Sequence, residues 1–443
     1  MNPKNRRPSI AIIGGGMTGI AAALELAKSG VFQITLFEKE RRLGGLNSSC
    51  QWQDLVCDRF YHVILPSDNL MIDLIRQLGL EHRLQWRNAK SGFYGNGRLV
   101  SFSSASDFIR FPFLSYRQKF RLGLGIFASS RIKDPGSLES LDVPRWMKQV
   151  FGHKVYENFW EPLVRSKLGD AAPRTTAAFM GATIKRLYGA RSRARHKEKM
   201  GVIEGGALAL QGAAEKKLSE LGVDVHPGTP VEKILSQGKE IALQISSGRR
   251  VFDKILLTIP NPEILKMIQN TDASMTWRRM LQTEYLGVIC VLLLLKRSLS
   301  PYYVINLLDK SLPFTGIIES TNILSPESFG GRHLVYLPKY ATQADPLAKA
   351  PDGQIIDRFI DHLIKIFPNL RNEDILLARL FRENYVQPVH PPLPSGHPLG
   401  FRTPLPGVYL ANSSLIKNST LNNNAVLQIA KGVATLIAAE VGY

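Results

Sequence analysis

At 443 residues, 44% of them hydrophobic and 21% charged, the chain is too long for one small core and too apolar to be disordered, so two or more packed domains are expected. Its 56 Lys and Arg against 37 Asp and Glu leave a formal charge of +19, which calls for anionic partners without saying which. The cysteines Cys50, Cys57 and Cys290 make neither a disulfide framework nor a zinc spacing, so no metal and a reducing cytoplasm are expected. No run approaches the roughly 18 apolar residues of a spanning helix. Met1 to Pro8 carries charge with no apolar region behind it, so no secretory signal is expected either.

In chain order, Ile10-Ala11-Ile12-Ile13 reads as a buried strand, Gly14-Gly15-Gly16-Met17-Thr18-Gly19 as a G-x-G-x-x-G turn, and Ile20 to Ala27 as an Ala/Leu helix stopped at Gly30. Gly14 permits the tight turn, Gly16 lets backbone approach a pyrophosphate, and Gly19 lets the helix pack on its strand. The phosphates then meet the positive end of the helix, with Met17 and Thr18 among the expected contacts. A second strand, Gln33 to Phe37, ends in Glu38, about 20 residues past the turn, where an acid holds a ribose hydroxyl and disfavours NADP.

Glu38-Lys39-Glu40-Arg41-Arg42-Leu43-Gly44-Gly45 is E-x-x-x-R-x-G-G, and at this point the chain resembles the glycine-doublet flavoproteins: monoamine oxidase, protoporphyrinogen oxidase, phytoene desaturase and UDP-galactopyranose mutase. The resemblance implies FAD, with Arg42, Gly44 and Gly45 against its diphosphate and Lys39 beside them. A planar cation and bare backbone amides suit a pyrophosphate.

Asp58-Arg59-Phe60-Tyr61-His62 resembles the D-x-G-x-H element of the porphyrinogen oxidases and desaturases, with Phe60 where that pattern has glycine. His62 is a candidate to contact the isoalloxazine or substrate, or else a satisfied structural histidine. Asp68 to Leu80 reads as an amphipathic helix. Across residues 107–133, Phe113, Tyr116, Phe120, Leu124 and Phe127 make one helical stripe ringed by Arg110, Arg117, Lys119, Arg121, Arg131 and Lys133. Such a stripe rests on an anionic bilayer or packs on the protein's own core.

Trp160 to Asp170 resembles the region before the helical lobe of protoporphyrinogen oxidases, and makes Lys167 and Arg165 candidates to meet an anionic substrate. From Lys185 to Lys199 a basic run, with Arg191, Arg193, Arg195 and Lys197, reads as a flexible loop facing lipid headgroups or a phosphate. It lacks the aromatic interleaving of a nucleic-acid module, so no nucleic acid is expected. Val202 to Gly206 and the helix after it resemble the G-G-x-x-x-L element of the same flavoproteins. Val231, in Thr229 to Ile234, then takes by resemblance the place of the valine whose backbone meets adenine.

Leu286 to Val291 resembles the strand that in amine oxidases carries a lysine bridged to the flavin, but no lysine occurs before Lys296. The C-terminal cage aromatic is replaced by Asn422-Asn423-Asn424, so a primary amine is disfavoured as substrate. Tyr302, Tyr303, Tyr336, Tyr340 and Tyr385 are candidates to line an extended pocket, or are core. Pro406 to Asn412 resembles the last FAD-domain strand, with Asn412 near the ribitol diphosphate, and Asn424 to Ala439 is the final helix, its amides toward the flavin pyrimidine.

The expected fold is α/β: a Rossmann-type FAD-binding domain built from discontinuous segments (1–65, 198–260 and 400–443), with an inserted mixed-sheet and helical substrate domain (66–197 and 261–399) whose helical lobe can face a membrane. The expected function is an FAD-dependent oxidoreductase taking a hydride from a hydrophobic or anionic substrate such as an isoprenoid, a porphyrinogen or a lipid-linked sugar, with His62 and Lys167 as catalytic candidates. Oxygen, a quinone or another acceptor would take the electrons. The alternatives are a UDP-galactopyranose mutase-like isomerase and a non-catalytic FAD-binding protein associated with a membrane. The expected location is the cytoplasm, with an anionic membrane surface as a further partner.

Overall fold

Short runs of Ile, Leu and Val without intervening charge suit a parallel sheet covered on both faces. Such runs make the centre of a five-stranded one, in the order Val408–Leu410, Lys254–Leu257, Ser9–Ile13, Gln33–Phe37 and Asp224–His226, every neighbouring pair parallel and the last strand a short polar edge. The sheet draws on three separate stretches of a chain whose computed structural model describes residues 6–193, 199–237, 240–268, 274–392, 400–416 and 420–442. On one face lie the first helix, Met17–Lys28, and the last, Asn423–Ala439. Ala21, Ala22 and Ala23 keep the first helix thin, so Ile20 and Leu24 share one core with Ala430, Val433 and Ile437.

The second layer is a seven-stranded mixed sheet in the order Ile375–Val389, Glu284–Leu295, His333–Ala341, Gly316–Glu319, Val304–Leu307, Ser91–Gly95 and Arg98–Ser101. Its Glu284–Leu295 strand is apolar after Glu284 because both of its faces are covered. Val288, Cys290, Leu292 and Leu294 point to the cluster holding Phe60 and Tyr336, while Ile289, Val291, Leu293 and Leu295 point to the helix Asp352–Ile366. Cys57 and Cys290 are buried members of the first cluster, small apolar groups rather than exposed thiols.

The helical lobe packs Tyr116–Ser130, Val143–Phe151, Glu161–Leu168 and Ala178–Arg193 around Phe93, Phe111, Trp146, Phe151, Phe159 and Trp160. The periodic stretch 107–133 is not one helix. Pro112 separates Ala105–Arg110 from Tyr116–Ser130, and each piece opens on its own capping box, Ser104 with Asp107 and Ser115 with Gln118. The basic run also differs from a loop over its first part: Lys185 and Arg186 lie in the Ala178–Arg193 helix, and Lys199 opens the strand Lys199–Ile203. Arg195 and Lys197 lie outside the described residues, as do the side chains of Arg191 and Arg193.

The lobe is fastened to the parallel-sheet layer by Arg186, whose guanidinium meets both carboxylate oxygens of buried Asp68 at 2.8 and 3.0 Å. Asp68 leads into the helix Asn69–Gln77, whose first amides are held from the other side by the Asn424 carbonyl oxygen, 2.9 Å from Leu70 N. One salt bridge and one asparagine therefore fix lobe, sheet layer and last helix to a single junction.

Candidate active site

The strand Ser9–Ile13 delivers Gly14 into a left-handed turn, φ +109°, and Gly14 N donates to the Phe37 carbonyl at 2.8 Å. A Cβ on Gly14 would lie 2.7 Å from Thr258 Oγ1, and one on Gly19 would lie 1.9 Å from the Gly14 carbonyl oxygen, so the turn closes only on bare backbone. Gly16, the residue before the first helix, differs. Its φ of −72° suits any residue, and a Cβ there would meet only Gly45 Cα, at 4.0 Å. No side chain caps this helix, so the amides of its first turn, Met17 and Thr18 among them, are offered to a ligand instead.

The glycine doublet completes the cradle. Gly44 N donates to the Gly15 carbonyl at 2.8 Å, and Gly16 and Gly44 form a parallel bridge. Gly44 sits at φ +123° where a Cβ would collide with Gln211 Nε2, which donates to the Asn47 carbonyl at 2.6 Å. Two glycine loops thus lie backbone to backbone under an uncapped helix start, a surface bare enough for a diphosphate.

Glu38 stands at the rim, buried, with Oε2 accepting from Gly15 N at 2.6 Å and Oε1 from Glu40 N at 2.9 Å. Its own carbonyl accepts from Thr229 N at 2.8 Å, which brings the turn leading to buried Val231 alongside. Lys39 and Arg42 are exposed beside the cradle, and neither forms an ion pair among the described residues. Asn412 is committed elsewhere. Its Nδ2 donates to the Ile259 carbonyl at 2.6 Å and to Asn261 at 2.7 Å, and its Oδ1 accepts from Ser414 Oγ at 2.6 Å, so its side chain shapes the turn after the last strand.

The three asparagines Asn422, Asn423 and Asn424 each hold backbone or side chain at the start of the last helix. Asn422 caps it through Ala425 N at 3.0 Å, Asn423 accepts from Asn47 Nδ2 at 2.7 Å, and Asn424 caps the neighbouring helix. These fits between bare backbone, unpaired cations and an acid at the second strand's end match the needs of a dinucleotide with a diphosphate bridge.

Beyond the cradle, Tyr61 is half-buried and His62 exposed on the segment after the strand Leu55–Asp58, Tyr340 is half-buried on the strand His333–Ala341, and Lys167 is exposed on the helix Glu161–Leu168. Tyr61 donates to Tyr340, its ring lies 6.0 Å from that of Tyr336, and the Tyr336 hydroxyl donates to the Asp58 carbonyl at 2.7 Å. Burial raises Tyr340 to about 12 and lifts Tyr61 well above its ordinary value, so both stay protonated. Tyr302 packs instead on the far face of the sheet, and Tyr385 packs edge-on against Tyr285 at 5.8 Å.

His62 Nδ1 lies 3.0 Å from the Phe60 carbonyl, which only accepts, so Nδ1 carries the proton and Nε2 the lone pair. Burial lowers its pKa to about 4, and the ring is neutral near pH 7. Phe60 takes the glycine's place without a left-handed backbone and fills the core against Phe381, ring centroids 6.2 Å apart. Asp58 accepts from Ala207 N at 2.9 Å at the start of the helix Gly206–Glu220, and burial lifts it to about 6. Arg165 pairs with Asp170 at 3.3 Å in a cleft lined also by Lys310, Lys339 and Asp345. The contributions of Gly15, Thr258 and Gln211 to the cradle, and the pairing of Tyr61 with Tyr340, carry no local sequence signal, because each depends on a partner distant in the chain.

The family described as flavin containing amine oxidoreductase matches residues 17–425. A 4,4'-diapolycopen-4-al dehydrogenase of Metabacillus indicus is 24% identical over 282 residues, 58% of this chain and 57% of that protein. A coproporphyrinogen III oxidase of Bacillus subtilis is 24% identical over 315 residues, 63% of this chain and 65% of that protein. The chain therefore spans less than two thirds of either relative. The solved structure of a putative protoporphyrinogen oxidase from Exiguobacterium shares the fold with a TM-score of 0.74 at 18% identity, covering 98% of this chain and 99% of that one.

Two glycine variants separate the cradle's two jobs. Gly19→Ala, which drives a Cβ into the Gly14 carbonyl, is expected to lower folding stability by several kcal/mol, on the order of an overpacked core. Gly16→Ala is expected to leave urea unfolding of the flavin-free protein within about 0.5 kcal/mol of wild type while weakening flavin retention at least tenfold in dialysis. Equal stability losses in both would refute this division. For His62, a folded pKa of about 4 against the ordinary 6.5 means that stability is complete above pH 6.5 and lost as pH falls toward 4. Wild type should therefore lose more unfolding free energy than His62→Gln between those two pH values, and parallel curves would contradict the neutral ring.

Proposed function

Because the chain belongs to the flavin containing amine oxidoreductase family, we propose that it is an FAD-dependent oxidoreductase acting on an apolar organic substrate of the porphyrinogen or carotenoid kind and passing the electrons to oxygen, a quinone or another acceptor. The observation that carries this reading is a dinucleotide cradle of two glycine loops under an uncapped helix start, in a chain whose Glu284–Leu295 strand holds no lysine.

The roles of the chain's residues follow. Gly16 and Gly45 would hold the diphosphate with the amides of Met17 and Thr18, in a cradle that Gly14, Gly19 and Gly44 close; Lys39 and Arg42 would balance its charge, Glu38 would take a ribose hydroxyl, and the Val231 backbone would meet adenine. Asn412 would support the turn beside the cofactor. When bound, FAD supplies the hydride acceptor. Tyr61, Tyr336 and Tyr340 would flank the substrate, and the neutral His62 Nε2 would accept a hydrogen bond from a substrate N–H or O–H, orienting it without attracting charge. An isomerase of nucleotide sugars, the other reading of the glycine doublet, gains no support from relatives named as a dehydrogenase and an oxidase.

The test is anaerobic titration of the yellow protein with coproporphyrinogen III, protoporphyrinogen IX, a C30 apocarotenoid aldehyde and putrescine. Bleaching of the flavin by a tetrapyrrole or the polyene is the expected result. Bleaching by putrescine alone would sink the proposal in favour of an amine oxidase.

The surface supports a second part of the reading, peripheral attachment to an anionic membrane. Tyr116, Phe120, Leu124 and Phe127 on the helix Tyr116–Ser130 are 78, 76, 57 and 43% exposed, and Ile109 beside them is 60% exposed. The helix buries Lys119, Leu122, Gly125 and Ser129 instead, so Tyr116, Phe120, Leu124 and Phe127 do not pack on the lobe's core, whereas Phe113 before the helix does. No Asp or Glu occurs from residue 108 to 133, while Arg110, Arg117, Arg121, Arg131 and Lys133 are exposed around the stripe. A contiguous apolar ridge ringed by one sign of charge fits lipid headgroups over acyl chains. Flotation with liposomes containing phosphatidylglycerol should carry the protein up at low salt and fail at high salt. Phe120→Asp should abolish flotation without loss of flavin, and flotation unchanged by that substitution would exclude this face.

A further inference from the structure

The antiparallel ribbon of Ser49–Trp52 and Leu55–Asp58 sets two cysteines face to face: in its register Gln51 stands opposite Val56, and Cys50 opposite Cys57. Residues opposed across such a ribbon put their side chains on the same face, and both thiols pack on the one cluster that holds Phe60 and Tyr336. The turn Gln53-Asp54 makes Trp52 with Leu55, and then Cys50 with Cys57, the hydrogen-bonded pairs of the ribbon, whose Cα atoms stand about 5.5 Å apart. A disulfide takes that spacing. Access differs between the two sulfurs. Cys57 is 2% exposed, whereas Cys50 is half-buried beside exposed Gln51. Arg379 Nη1 donates to the Gln51 carbonyl at 3.1 Å, which brings a guanidinium next to Cys50.

We propose that Cys50 and Cys57 form a thiol–disulfide site, converted by hydrogen peroxide to a cross-strand disulfide and restored by a dithiol.

The Cys50 thiolate attacks one peroxide oxygen; the O–O bond breaks, and the departing hydroxide takes a proton from solvent, leaving a sulfenic acid. The Cys57 sulfur then attacks the Cys50 sulfur. The S–S bond forms, the S–O bond breaks, and the hydroxyl leaves as water with the Cys57 proton. Two electrons have passed from the sulfurs to the peroxide oxygens, and two waters are released. Burial raises the Cys57 thiol to about 12; it raises Cys50 as well, but there the guanidiniums of Arg379 and Arg59 work against it, so Cys50 is the attacking sulfur and Cys57 the resolving one. Packing alone asks only for a small apolar group at either place. The register adds a second thiol within reach, which is what diverts a sulfenic acid to a reversible disulfide instead of sulfinic acid. Cys290 is fully buried on the strand Glu284–Leu295, outside the ribbon. The ribbon follows the glycine doublet and leads to His62, and its base is held by Arg59 N on the Ser48 carbonyl at 2.8 Å, so the disulfide would cross the chain between cradle and site.

The test is peptide mapping of the full-length, flavin-loaded protein after treatment with hydrogen peroxide, quenching with catalase and alkylation in denaturant. Trypsin releases residues 43–59 with both cysteines, and a further cut between Gln53 and Asp54 divides the two strands. The expected product is a 43–59 peptide lighter by two hydrogens and free of alkylation, whose halves separate only after dithiothreitol. Its initial rate of formation should rise about tenfold from pH 7 to pH 8, because the thiolate is the attacking form. Cys290→Ala should form the bond as wild type does, and Cys57→Ser should stop at a Cys50 sulfenic acid that dimedone captures. A wild-type peptide that stays fully alkylated, one in which Cys50 advances to sulfinic acid without the bond, or a bond to Cys290 instead, overturns the proposal. The wild-type map decides the matter even where a variant does not fold, and no turnover enters it.

Discussion

The 2.8 Å hydrogen bond from Gly44 N to the Gly15 carbonyl joins two loops that have no side chains to spare. One loop ends the first strand, the other follows the second, and they can meet only because glycine stands at 14, 15, 19, 44 and 45. Around that contact the molecule repeats one device, polar backbone held by side chains that come from far away in the chain. Thr258 Oγ1 donates to both the Ile13 and Gly14 carbonyls, at 2.9 and 3.0 Å, and Gln211 reaches the Asn47 carbonyl. The cradle is thus rigid where it touches protein and bare where it faces outward, which is what preorganised anion binding requires.

The same economy governs the junction of the two layers. The helices Asn69–Gln77 and Asn423–Ala439 begin close together, and their positive ends are managed by Asn422 and Asn424 rather than by carboxylates. Asp68, the one acid at this junction, is claimed by Arg186 and by the Leu65 amide at 2.9 Å. Neutral caps leave the positive potential of the last helix undiminished. An aspartate in their place would cap the helix as well and would cancel the field.

Legibility in the sequence follows the range of the interactions concerned. Strand, turn and helix from Ser9 to Lys28 are dictated locally, by an apolar run, a glycine turn and an alanine-rich helix, and so is the position of Glu38. The break at Pro112 was equally local, yet the regular spacing of Phe113, Tyr116, Phe120, Leu124 and Phe127 draws the eye across it. Which face of that helix is buried is a different matter. Lys119 goes inward, its ammonium on the Ile109 carbonyl, and Phe120 goes outward, a reversal of ordinary hydrophobic order that only the packed lobe decides. The pairing of Arg186 with Asp68, 118 residues away, is likewise set by tertiary packing.

The formal charge of +19 gains a meaning once it is divided by place. Cations around the exposed stripe are solvated and cost the fold little, and they act at long range and weaken with salt. Arg186 is the opposite case, paired with buried Asp68 and spent on fastening the lobe to the sheet layer, where salt screens it far less. The helix Ala178–Arg193 serves both regions: Lys185 Nζ donates to the Lys133 carbonyl at the end of the exposed stretch, and Arg186, the next residue, reaches Asp68. The charge that faces outward and the charge that holds the layers together are thus tied to neighbouring residues of one helix.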